Sequence, residues 1–286
     1  MKQQSLPFRL LIWLGIAVLL VWSLGPIYWT LASAVTPTAD FSDRPIHFVP
    51  THVTLDHFAR LLGINVSRIG GVQVWAQFRA ALVNSVVASV AATIICVGIS
   101  ALGGYAFTRL VFPGRRWIFF AVVATLAVPG YAVLIPLYRL MSSLHLIDTF
   151  VCVTLIYVSA FLPLSLWLLR SVFESLPVSI EEAAQLDGAG RLYILFRIVM
   201  PLAAPGLTAA AILTFLGAWG QYAVPLIFSP TRTKPLTVLI PEFATKNFID
   251  YGLITAAGSI AIIIPALVVI FLNRYLISGL LAGSVK

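Results

Sequence analysis

Charge is scarce in this 286-residue chain: 10% of its residues are Asp, Glu, Lys or Arg, against roughly 25% in a soluble domain. Beside a hydrophobic content of 60% and a mean hydropathy of +1.01, that shortage excludes an ordinary water-soluble fold and a disordered chain. Cysteine is limited to two residues, Cys96 and Cys152, which fall at different depths of separate apolar runs and read as buried thiols rather than a disulfide. No G-x-x-x-x-G-K-[ST] phosphate loop occurs. The 18 Lys and Arg outnumber the 10 Asp and Glu, giving +8 and a pI near 9.8. In so apolar a chain this excess reads as basic loops beside a membrane, and it excludes nucleic acid as a partner.

Long apolar runs are what the chain has instead. Six of them, 10–34, 80–108, 117–138, 151–169, 202–228 and 251–272, approach or exceed the roughly 20 residues that cross a bilayer, and none contains Asp, Glu, Lys, Arg or His. Pro26, Pro129, Pro136, Pro163, Pro205, Pro225 and Pro265 interrupt them, as membrane helices tolerate. The fold class is therefore an all-α integral membrane protein with six transmembrane helices and both termini on one side. Arg109, Arg115 and Arg116 crowd one short loop with no acid, which points to a cytoplasmic N-terminus. Lys2, Arg9 and Ala32-Ser33-Ala34 imitate a cleavable signal peptide, but the apolar run between them is longer than a usual h-region. Small residues along the second run, Ser100 and Gly104 among them, signal close helix packing, either within the chain or with a second copy.

The chain divides into residues 1–34, a tail and first span; 35–79, an extracytoplasmic loop; 80–273, a five-helix core; and 274–286, a cytoplasmic tail. In the loop, a short helix is expected over 55–62 from a Thr54 cap. His47, His52 and His57 recur there at steps of five. That spacing separates ligands on a helix and puts them on opposite faces of a strand, so no metal site is assigned.

One cytoplasmic segment, 171–201, carries chemistry out of place in a simple connection. Ser179 and Glu182 have capping-box spacing, which predicts a helix from Ile180 with Glu181 and Glu182 in its first turn. Asp187-Gly188 supplies the stop. A second helix is expected from about 190 to 200, with Leu192, Leu195, Phe196 and Val199 as its apolar stripe and Pro201 as its break. Ala183 and Ala184 offer a flat surface suited to docking in another protein's groove.

The spacing Glu182-Ala183-Ala184, Gly188, then Ile198-Val199-Met200-Pro201 resembles the EAA loop of ABC-importer permeases. This chain departs at Met200, where leucine is usual, a volume-conserving exchange. Val128-Pro129-Gly130, Ile135-Pro136-Leu137-Tyr138, Leu146-Ile147-Asp148-Thr149 and Phe215-Leu216-Gly217-Ala218-Trp219 are similar to sugar-importer permeases of the maltose-transporter type. Gly220-Gln221 stands where that family usually has Asn-Glu.

The resemblance implies a type I ABC importer permease fold with a cytoplasmic coupling (EAA) helix, in a bacterial or archaeal cytoplasmic membrane. It also implies a second permease subunit, two ATP-binding subunits holding ATP and magnesium, and an extracytoplasmic sugar-binding protein. This chain would carry no catalytic residue and no cofactor. Coupling to the ATPase would fall to Glu181, Glu182, Ala183, Ala184, Asp187, Gly188, Ile198 and Pro201. Tyr131, Trp219, Gln221 and Tyr222, aromatic or polar residues beside helix breaks, are candidates for the sugar path. A stand-alone secondary transporter is the rival, but such proteins usually carry ionisable residues within their spans.

Overall fold

The computed structural model describes residues 6–42, 47–66, 68–69, 72–244 and 249–283. Among these, four continuous helices are long and apolar enough to cross a bilayer: α1 (Leu6–Ala34), α3 (Val74–Arg109), α6 (Phe150–Ser175) and α13 (Tyr251–Gly283). Two further spans are broken. One joins Arg115–Ala127 to Gly130–Ser143 at 96°, and the other joins Arg191–Leu202 to Ala204–Trp219 at 77°. Counted as single spans, they bring the total to six.

The breaks follow from proline chemistry. Pro129 lacks an amide hydrogen and disfavours helix at the preceding residue, and Val128 is accordingly extended at φ −77° and ψ 122°. Helix α4 (Arg115–Ala124) therefore ends in a single 3₁₀ turn, and α5 (Leu134–Ser143) restarts the path in a new direction. The run 202–228, expected as one span, is divided in the structure. Its long piece is α10 (Ala204–Trp219), and α11 (Ala223–Phe228) follows a gap at 220–222. Gly220 closes α10 by donating its N–H to Leu216 O at 3.0 Å.

Two compact units emerge. The first comprises residues 1–79 and 239–263. It holds α1, the short helix α2 (Asp56–Leu61) and an antiparallel hairpin of β1 (Arg68–Ile69) and β2 (Val72–Gln73), with Arg68 opposite Gln73. Helix α2 lies close to the expected 55–62, and the Thr54 hydroxyl accepts the Asp56 N–H at 3.1 Å. The three loop histidines occupy separate settings. His47 is exposed, His52 Nδ1 lies 3.3 Å from Asp40, and His57 is buried with Nε2 2.9 Å from Thr36 O. No group of three or more His, Cys, Asp or Glu close enough to hold a metal ion occurs among the described residues. Arg60 donates to Asp250 at 2.8 Å, and the same carboxylate accepts the Leu253 N–H at the start of α13.

The second unit comprises residues 80–238 and 264–286, with α6 packed against α10, α11 and α4. Its small residues serve contacts within the chain. A Cβ on Gly104 would lie 3.1 Å from the Arg170 amide nitrogen, so glycine lets α3 run against the backbone of α6. Cys96 and Cys152 are buried free thiols in different apolar clusters.

Candidate functional site

After α6, Leu176 and Pro177 turn the chain into α7 (Val178–Leu186). The helix starts two residues before the expected Ile180, and no capping box forms. Pro177 at the N-cap presets the backbone, so Ser179 and Glu182 lie inside the helix. Glu181 faces inward, at 4% exposure. Arg109 Nε donates to its Oε1 at 2.6 Å and the Tyr105 hydroxyl to its Oε2 at 3.0 Å, while Arg109 Nη2 reaches Leu176 O at 2.9 Å. Both carboxylate oxygens are satisfied, and α7 is bonded to the end of α3. Removing one partner of a buried pair leaves an uncompensated charge and costs roughly 3–5 kcal/mol.

The outward edge of α7 is different. Glu182, Ala183, Gln185 and Asp187 are exposed, and Leu186 is 90% exposed. Ala184 does not share that edge with Ala183; with Ala189 it packs on the core formed by Tyr105, Leu169, Phe173 and their neighbours. Asp187 caps the helix and Gly188 takes φ +85°. Gly188 N–H bonds Gln185 O at 3.0 Å and Ala189 N–H bonds Ala184 O at 2.9 Å, the paired pattern of a Schellman turn. A Cβ at Gly188 would meet nothing within 4 Å, so glycine is required here by backbone conformation alone.

The second limb departs from the expected stripe. After α8 (Arg191–Ile194), residues Leu195–Val199 form a π turn that leads into α9 (Met200–Leu202). The extra residue per turn rotates the buried face, so Ile194, Leu195 and Val199 are buried while Leu192 and Phe196 are 70% and 52% exposed. Ile198 is half-buried on the same core, and Pro201 is exposed within α9. The bend falls at Ala203, two residues beyond the expected break and just before Pro205, whose missing N–H removes the next rung.

A cavity of about 570 Å³ opens where the third span breaks, between α5, α6 and the 220–224 segment. Tyr131 and Gln221 line it, joined by Thr125, Tyr157 and Ser159. Trp219 and Tyr222 do not: Trp219 is 9% exposed and stacks on Phe215 with ring centroids 5.7 Å apart. Every lining residue is uncharged. Tyr157 and Ser159 lie inside unbroken α6, away from the helix breaks that signalled the other candidates. The Ser159 and Thr125 hydroxyls donate to Ile156 O and Val122 O, which leaves their lone pairs available as acceptors.

Just before α6, at the end away from α7, Asp148 holds a left-handed backbone at φ 60°. Its carboxylate accepts the N–H groups of Arg232 at 2.8 Å, Thr233 at 3.1 Å and Thr231 at 3.3 Å, and the hydroxyls of both threonines. Burial pushes this carboxyl up, but the hydrogen bonds outweigh it and bring it down to about 2. Asn84 secures the same loop by donating to Arg232 O and Lys234 O, and Ser85 Oγ accepts the Leu236 N–H at the start of α12 (Leu236–Glu242).

Two broken spans, one of them opening on an uncharged cavity, and an elbow bonded to α3 and packed on α6 and α10 are the parts of a polytopic membrane protein. The family match is direct. Residues 99–281 match the binding-protein-dependent transport system inner membrane component family, and the chain belongs to it. A probable ABC transporter permease of Pyrococcus horikoshii is 31% identical over 274 residues, covering 94% of this chain and 96% of the relative. A trehalose transport system permease of Mycobacterium tuberculosis is 32% identical over 270 residues, covering 93% of each. A chain from a bacterial ABC transporter involved in the import of the acidic polysaccharide alginate has a TM-score of 0.80, covering 96% of this chain and 99% of that one. At 21% identity that last likeness carries the fold alone. Membership of this family does not favour a stand-alone secondary transporter.

Proposed function

We propose that this chain is one of two membrane-spanning halves of an ATP-driven carbohydrate importer. It sits in a bacterial or archaeal cytoplasmic membrane with both termini inside. Its partners are a second permease, two ATPase subunits that bind ATP and magnesium, and an extracytoplasmic sugar-binding protein. Family membership supports the architecture. The uncharged cavity and relatives named for trehalose support a neutral sugar as cargo.

The observation that carries the coupling mechanism is the two-sided character of α7. Its outer edge, with Glu182, Ala183 and Leu186, is free to seat in a cleft of the ATPase. Its inner side is bolted to α3 through Glu181, and the second limb is packed on α6 and α10 through Ile194, Leu195 and Val199. A displacement of the elbow by ATPase closure is therefore passed to three spans at once, as in a rigid-body switch. Asp187 and Gly188 fix the angle between the limbs. Sugar hydroxyls moving past the broken span meet Tyr131 and Gln221.

The test is to purify the chain with co-expressed ATPase subunits and to measure sugar uptake. Gly188→Val and Glu182→Lys leave the permease in the membrane but detach or uncouple the ATPase. Normal ATPase retention together with normal uptake in both variants overturns the proposal.

A further inference from the structure

A second cavity, of about 370 Å³, lies where the short 109–116 loop meets α6 and is lined by Phe107, Arg115, Arg116, Phe119, Arg170 and Glu174. Three guanidinium groups face one carboxylate there, so the pocket keeps an excess of positive charge. Its residues are not among those of α7 or of the sugar path.

The placement of these arginines conflicts with ordinary helix electrostatics. Arg115 and Arg116 open the ten-residue helix α4, whose first turn contains no acid. The positive end of the macrodipole there disfavours cations and favours an anion. The N-cap is Gly114, at φ 76°, which has no side chain to accept the first amides. Arg115 spends one N–H on Leu110 O at 3.0 Å, while the Arg116 guanidinium has no hydrogen-bond or ion-pair partner among the described residues. Arg170 is aimed by two contacts: its guanidinium carbon lies 4.1 Å above the Phe119 ring, and Glu174 holds it at 2.7 Å. Arg115 and Arg116 are exposed, and a bound anion would relieve this concentration of like charge at a helix start.

The surroundings choose between a free anion and one carried by a lipid. Beyond the arginines, Trp117 and Phe120 are 77% and 65% exposed along α4. An apolar, aromatic surface running away from a basic cluster matches a phosphate with an acyl tail, and basic pockets between membrane helices take acidic head groups. The geometry points to a binding site for the phosphate head group of an anionic phospholipid, held by Arg115, Arg116 and Arg170 at the start of α4. The lipid ties α4 to α6 through charges the chain leaves uncompensated.

Full-length chain purified in detergent micelles tests this, using phosphatidylglycerol, phosphatidylcholine and inorganic phosphate as probes. Retained lipid is read by native mass spectrometry and stability by melting temperature. Wild type retains one phosphatidylglycerol and melts higher with it, but responds to neither phosphatidylcholine nor inorganic phosphate. Arg116→Gln weakens phosphatidylglycerol binding about tenfold, the loss of one charge-assisted hydrogen bond. Arg116→Lys restores most of it, and Glu174→Gln, which removes the pocket's acid and frees Arg170, tightens it. Equal retention of the two lipids, or retention unchanged in both Arg116→Gln and Glu174→Gln, overturns the site. A melting shift with inorganic phosphate as large as that with phosphatidylglycerol overturns the lipid in favour of a soluble phosphoanion. Should Arg116→Gln fail to fold, the opposite shift expected of Glu174→Gln still decides.

Discussion

Two carboxylates, Glu181 and Asp148, sit at opposite ends of α6 and are held in unlike ways. Glu181 is gripped by side chains, a guanidinium and a phenol, that belong to another helix. Asp148 is gripped chiefly by the backbone N–H groups of a loop 83 to 85 residues away in sequence. The first arrangement joins two rigid bodies and can pass a push from one to the other. The second determines the shape of a loop and moves nothing. An ion pair between helices has apolar substitutes, because two side chains can be exchanged together. A carboxylate set among backbone donors has none, because removing it orphans amides that no mutation deletes.

The largest effect that can break this comparison is at the elbow. Arg109→Ala or Glu181→Ala leaves a buried charge alone, and each lowers the stability of the purified chain by about 3–5 kcal/mol. Arg109→Met combined with Glu181→Leu recovers most of that loss in a thermal melt without restoring ATP-driven uptake. A double variant as unstable as the singles would show that the pair is not exchangeable.

Asp148 comes next. Asp148→Leu loses about 3 kcal/mol through unpaired amides and an unfavourable left-handed leucine, and no apolar partner mutation repairs it. The pH dependence sharpens the contrast. The folded carboxyl lies at about 2 against an ordinary value of 3.8, so its contribution is complete above about pH 4. It is lost as the pH falls through 2. Melts of wild type and Asp148→Asn should therefore converge in acid and separate by about 2 kcal/mol at neutral pH. Parallel curves across that range refute this role for the Asp148 carboxylate.

The smallest effect is at Gly188. Alanine meets no neighbour there, so Gly188→Ala loses only about 1 kcal/mol, from the left-handed backbone. A melting shift of a few degrees confirms that no side-chain clash contributes. ATPase retention reports separately whether the limb angle has changed.

The spans were readable in advance because an uncharged apolar run of about 20 residues has few other uses. Gly188 was equally readable, since Asp-Gly after an alanine-rich helix is a stop signal that acts locally. What escaped depended on phase or on distance. Pro177 displaced the start of α7 by two residues, and Glu181 is buried by Arg109 and Tyr105, which lie 72 and 76 residues away in sequence. The π turn at Leu195–Val199 rotated a stripe read with a 3.6-residue period. At Asp148 the sequence held only a resemblance, because its partners lie beyond any local pattern. The cavity was half legible: Tyr131 and Gln221 adjoin breaks, whereas Ser159 lies in regular helix.

The right-angled interruption at Val128–Pro129 carries one more consequence. A segmented span ends one helix and starts another beside the cavity, so main-chain dipoles terminate at its wall. Such dipoles are indifferent to side-chain identity. Exchanging wall residues can resize the cavity, while the peptide groups continue to offer the same hospitality to any hydroxyl. Divergence among descendants of this scaffold should thus alter girth sooner than polarity.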